Sequence, residues 1–177
     1  ERPVAVAARR VHQSQASGDR LFGLGHELSV RRPVAEPGQC SAEGTVSLVG
    51  PKRTSEKVRS LGPARAEDKV EIARSDEYYL GVDAPVRASG DLANTPGITL
   101  RGPKGEVTLK SGLICALRHI HMSPDDAAHF GVADRDIVDV AVAGHGRNLT
   151  FDDVLVRVSP DFRLEMHVDT DEANAAG

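Results

Sequence analysis

The sequence predicts a mainly β protein, folded as two small β-barrel domains with short capping helices. Three observations lead there. Segments rich in Val, Ile and Leu alternate with polar residues at period two, and turn residues bound them. The 17 Gly and 10 Pro are spread along all 177 residues, punctuating many short strands at close spacing, a pattern of small barrels and not of a βαβ sheet. A diffuse internal repeat then divides the chain in two. Arg9–Ser14 precedes a helix candidate ending at Phe22-Gly23, and Arg118–Ser123 precedes a clearer one ending at Phe130-Gly131.

In chain order, residues 15–22 form the first helix candidate, weakened by Gly18 at a cost of up to ~1 kcal/mol. Thr45–Val49 reads as a strand running into a turn at Gly50-Pro51-Lys52. Gly62-Pro63-Ala64 reads as a second turn, presenting Arg65. Lys69–Ala73, Ile98–Leu100 and Glu106–Leu109 follow as strands, the last two around the turn Gly102-Pro103-Lys104-Gly105. Ser123-Pro124-Asp125-Asp126 supplies an N-cap, a proline at the first helical position and two acids in the first turn. That helix should run to Phe130 and stop at Gly131. Ile137–Val142 and Val154–Val158 are further strands, and residues 169–176 form a short terminal helix.

Composition narrows the function. Apolar residues make up 40% and charged residues 27%, an ordinary globular balance. A net charge of -4 argues against a nucleic-acid binder, and no apolar run approaches the ~20 residues that span a bilayer. The expectation is a soluble chain with neither nucleic acid nor membrane as partner. With no Trp, two Tyr and four Phe, the core must be aliphatic. Cys40 and Cys115 lack metal-ligand spacing and read as two half-buried thiols in a reducing compartment. The chain opens at Glu1 without a methionine, and any targeting segment would precede it.

His119-Ile120-His121 is the sharpest chemical signal. On a strand, residues i and i+2 share a face, so both imidazoles project together and suit zinc or another borderline metal. By itself the pair reads equally as two exposed histidines on a strand edge. His12 stands at the matching place of the first repeat, and His167 falls late, in Leu164–Asp169; each singly reads as a surface or packing histidine. Concentration of four of the seven histidines in three short motifs shifts the balance toward a metal. His26, His129 and His145 read as structural or solvated. Glu71, by spacing alone, is an ordinary solvent-facing strand glutamate, and Arg65 is either a surface arginine or an anion clamp. No Walker loop, nucleophile elbow or dinucleotide fingerprint is present.

Together these motifs resemble the PduL-type phosphotransacylases, the phosphate propanoyltransferases. The resemblance runs over nearly the whole chain, through Arg9–Ser14, Phe22–Leu28, Leu61–Arg65, Val70–Ala73, Leu80–Asp91 and Thr95–Gly105. Its most specific stretches are ALRHIHMSPDDA at 116–127 and LEMHVDTDEANAA at 164–176. The resemblance implies a first barrel over 9–116 and a second over 117–177, completed by the N-terminal strand 1–8. It also implies an active site between them. The activity implied is reversible transfer of a short acyl group between coenzyme A and inorganic phosphate at a zinc site. Carried over position by position, His12 and Glu71 match metal ligands on one side, and His119, His121 and His167 match those on the other. Arg65 matches the arginine that handles phosphate, and it is the residue assigned a catalytic role.

One departure matters. Where the family has the first histidine of a His-x-His pair, this chain has Arg10. A guanidinium stays protonated and has no lone pair for a metal. Gln13 and Gly44 depart in the same half, where the family has an apolar residue and a glutamate. The expectation is one firm zinc site on His119, His121 and His167, with a second site weakened or lost. Arg10 joins Arg65 as a substrate-binding cation. The alternative reading is a catalytically weakened relative that binds metal or CoA as a component of a microcompartment assembly. By analogy with the family, the partners are acyl-CoA, CoA and phosphate, with a homodimer or higher oligomer and a microcompartment shell as further expectations. The expected location is the cytoplasm or a microcompartment lumen.

Overall fold

The computed structural model describes residues 3–25, 30–33, 40–144 and 146–177, and the side chains of 30–33 and 40–43 are outside it. His26, His145 and the Cys40 side chain therefore lie outside the described residues, as does much of Phe22–Leu28. Among the described residues the chain is mainly β, with two sheets and four short helices. Its contacts form two compact units: residues 9–116, and residues 1–8 with 117–177.

In the larger unit, strand β2 (Arg10–Ser14) leads straight into helix α1 (Gln15–Phe22). After β3 (Val30–Pro33), the long strands β4 (Cys40–Val49) and β5 (Thr54–Arg65) form a hairpin. Strand β6 (Lys69–Ile72) then leads into helix α2 (Arg74–Leu80). Short strands β7 (Val86–Arg87), β8 (Thr99–Arg101), β9 (Glu106–Thr108) and β10 (Leu113–Ala116) complete the sheet. Its order is β7-β10-β6-β2-β5-β4-β8-β9, with β3 against β4. Val11, Leu21, Leu48, Val70, Leu80 and Leu100 form the centre of its aliphatic core.

The smaller unit has strand β1 (Val4–Ala7) at one edge and β12 (Ile137–Val142) at the other. Between them lie β14 (Glu165–Asp169), β11 (His119–Met122) and β13 (Leu149–Val158), giving the order β1-β14-β11-β13-β12. Helix α3 (Pro124–Phe130) follows β11, and helix α4 (Thr170–Ala176) follows β14. Met122, Val154, Val156, Met166 and Val168 are buried here.

The two units repeat one plan. β2 pairs antiparallel with β6 and parallel with β5, as β11 pairs antiparallel with β14 and parallel with β13. β10 runs parallel to β6, as β1 runs parallel to β14. Among the described residues each sheet is an open path with two edges, so closed barrels are not what the pairing shows.

Local chemistry explains the helices. Ser123 Oγ accepts from the Asp126 N–H at 3.1 Å, and Asp126 Oδ2 accepts from the Ser123 N–H at 3.1 Å, a reciprocal capping box. Gly131, in the left-handed region at φ 66°, closes the helix. Helix α1 is capped by Ser14, whose Oγ accepts from the Ser17 N–H. Helix α2 has no such signal in the sequence, because Ala73 stands at its cap with no side-chain acceptor; Asp76 Oδ2 alone satisfies the Ala73 N–H.

Two further expectations need correction. Gly62-Pro63-Ala64 is not a turn but lies within β5, whose pairing with β2 shifts register between His12 and Ser14. A proline is tolerated in a strand at such an irregularity, because a ladder hydrogen bond is already missing there. Cys115 is fully buried, not half-buried, since β10 is covered on both faces. Gly44, noted as a departure, has φ 142°, and a Cβ there would stand 2.8 Å from Phe22 Cε1; only glycine fits that bend without displacing the ring. No helix among the described residues is long and apolar enough to cross a membrane.

Candidate metal centre and anion cluster

In the smaller unit, antiparallel pairing of β11 with β14 sets His119 opposite His167 and His121 opposite Glu165. Ile120 and Met166, the pair between, turn toward the core. One sheet face thus carries three imidazoles, all buried. Their nearest ring nitrogens lie within 4.8 Å of one another. The ring centroids are 4.6 to 5.0 Å apart, with His119 and His167 stacked at an interplanar angle of 3°. His119 Nδ1 is 2.9 Å from the Leu117 carbonyl oxygen. With the proton on Nδ1, that contact leaves the Nε2 lone pair available for a metal, the usual division of labour in a ligating histidine. Phe162 stacks on His121 at 4.2 Å, with the Arg157 guanidinium 5.7 Å from the Phe162 ring centre. Three converging buried imidazoles fit one divalent metal of the zinc type.

The larger unit carries the same square of positions with different chemistry. Arg10 lies opposite Glu71 and His12 opposite Lys69, while Val11 and Val70 turn toward the core. The Arg10 Nε pairs with Glu71 Oε2. Lys69 Nζ lies 2.8 Å from Glu71 Oε1, and the Ser89 Oγ donates to the same oxygen at 2.7 Å. Lys69 also donates to the Ser89 Oγ at 2.6 Å and to its carbonyl at 3.1 Å. The solvent-facing glutamate that spacing alone allowed is therefore buried, at 4% exposure. Burial by itself would raise the Glu71 carboxyl, but Arg10 and then Lys69 outweigh it and hold the group well below the usual carboxylate range. His12 is pushed down to about 3, by burial first and then by the positive charges of Lys69, Arg10 and Arg65 against the opposing pull of Glu71. It is neutral at pH 7. Its Nδ1 has no hydrogen-bond partner among the described residues.

This second square does not fit a metal. Glu71 is already engaged by two cations, Arg10 has no lone pair to give, and only His12 remains as a neutral donor. Arg65 is exposed at the end of β5, opposite Ser14 in the register. His129 is exposed on α3.

Lys69 and Glu165 each stand two residues before a singled-out position, on the same strand face, so period two would have marked them. Ser89 gave no such signal, because a loop eighteen residues away from Glu71 brings it there.

The fold and site define a mainly β protein with a buried imidazole cluster suited to a divalent metal. The family model for phosphate propanoyltransferases matches residues 3–177. A curated phosphate propanoyltransferase of Thermotoga maritima is 54% identical over 173 residues, covering 98% of this chain and 82% of that protein. Those of Citrobacter rodentium and Salmonella typhimurium are 54% and 53% identical over 175 residues, each covering 99% of this chain and 83% of the relative. The chain belongs to the phosphate propanoyltransferase family.

Proposed function

We propose that this chain catalyses reversible acyl transfer between coenzyme A and inorganic phosphate: acyl-CoA and phosphate give acyl-phosphate and CoA. The observation that carries this reading is family membership over almost the whole chain, with the buried three-histidine cluster intact. His119, His121 and His167 would hold one zinc ion. The chemistry a zinc ion would supply there is stabilisation of negative charge on the CoA sulfur.

The remaining work falls to the chain's own residues. A phosphate oxygen forms the new bond to the thioester carbonyl carbon, and the carbon–sulfur bond breaks with its electron pair going to sulfur. No enzyme nucleophile is needed. Arg65 is the phosphate clamp of this reading, because a guanidinium fork matches two phosphate oxygens. Arg10 adds positive charge, and its pairing with Glu71 fixes its direction. The orphaned His12 Nδ1 is the kind of buried polar atom a bound substrate satisfies. Orientation supplies much of the rate, since effective molarities of ~10⁵ M or more are reached when reactants are held in line.

Free CoA release from acetyl-CoA and propanoyl-CoA, with and without phosphate, tests the proposal in zinc-replete protein. Phosphate-dependent release is expected, with Arg65→Ala and His121→Ala each lowering it by two orders of magnitude or more. Release without phosphate would mean hydrolysis, and no release from zinc-loaded protein would point to a weakened relative.

A further inference from the structure

We propose that Glu165 is a fourth protein donor of the metal centre, completing a set of three histidines and one carboxylate on β11 and β14. This rests on the reading that the histidines hold a metal.

Register places the carboxylate there. Glu165 lies directly opposite His121 and two residues before His167, so all four side chains leave one face as the corners of a square. Glu165 Oε2 lies 3.1 Å from His167 Nε2. Donor atoms 2.0–2.1 Å from a tetrahedral ion stand roughly 3.3 Å from each other, so the spacing suits two neighbouring ligands of one ion. The Glu165 side chain is only 20% exposed.

Charge balance points the same way. Three neutral imidazoles bring no negative charge to a dication, and Glu165 supplies it. The other unit is the control built into the fold. At the corner equivalent to Glu165 stands Lys69, and at the corner equivalent to His119 stands Arg10. That square has its own positive charges, fixed in the chain, around Glu71. The square of three histidines has an acid at that corner. A fourth protein donor leaves access for a substrate sulfur, because zinc sites expand to five ligands.

Cobalt(II), a spectroscopic stand-in for zinc, tests the proposal on chelator-treated full chain. Titrations would compare the parent with Glu165→Gln and with Glu165→Asp, which keeps the charge but withdraws it by one methylene. Glu165→Gln is expected to weaken cobalt binding tenfold or more and to move the visible d–d bands, with Glu165→Asp between it and the parent. Thermal unfolding of the metal-free variants, unchanged from the parent, shows that the fold is retained. Equal affinity and equal bands in parent and variants overturn the proposal. Weaker binding with unmoved bands overturns it too, since Glu165 would then act through His167 and not on the ion. A parent chain that binds no cobalt overturns the metal reading itself, whereas parent binding that His121→Ala abolishes leaves that reading standing whatever Glu165 does.

Discussion

Arg10 is the residue on which this member of the family turns. Its guanidinium pairs with Glu71 beside Lys69, so the carboxylate that a second metal would need is already neutralised twice. Metal analysis of the parent is therefore expected to find one zinc per chain. Arg10→His removes the cation and restores a lone pair beside His12 and Glu71, and it is expected to raise the stoichiometry toward two. Two tightly held zinc ions in the parent would show that Lys69 and Arg10 can be displaced from Glu71. The positions of Arg10, His12, Glu71, His119, His121 and His167 are all visible as short motifs in the sequence. What the motifs leave open is environment. Glu71 reads as solvent-facing by its spacing and is buried in the fold, because β6 is covered on both faces.

The strand–helix units β2-α1, β6-α2, β11-α3 and β14-α4 each begin with a strand that carries polar groups on alternate positions and end in a short helix. Helix α3 is legible from end to end, since Ser123 and Asp126 act through local hydrogen bonds, Pro124 through its fixed φ and Gly131 through its left-handed φ. Ser123→Ala removes the cap and is expected to cost about 1 kcal/mol in denaturant unfolding. The pH dependence follows in sign. Hydrogen bonds from the Ser123 side chain and backbone hold the Asp126 carboxyl below its ordinary value. Its contribution is therefore complete above the value in the unfolded chain and is lost as pH falls through the lowered folded value. Ser123→Ala should flatten that acid limb; an unchanged limb would assign it to other carboxylates. Helix α2 was not legible because its cap residue, Ala73, carries no acceptor. The Gly-Pro-Ala segment before Arg65 reads as a turn and lies in a strand, because turn residues also mark irregular strands.

Across the whole chain, the metal reading has a thermodynamic consequence. A ligand that binds only the folded state stabilises by about 2.7 kcal/mol at one hundred times its Kd. Zinc should raise the unfolding temperature of chelated parent protein and leave His121→Ala unmoved; a zinc effect equal in both would place binding elsewhere. The internal repeat read from two six-residue motifs is realised as one topology used twice, down to the antiparallel pair that displays four side chains in each unit. The sequence by itself determined the mainly β class, the helices with complete caps, and the common face of His119 and His121, because period two and capping are local. Only the tertiary structure decided that His167 and Glu165 join that face, that Arg10 meets Glu71, and that Ser89 reaches the same carboxylate. Those meetings depend on the register between paired strand residues 44 or more positions apart and on the course of a loop, which no local period records.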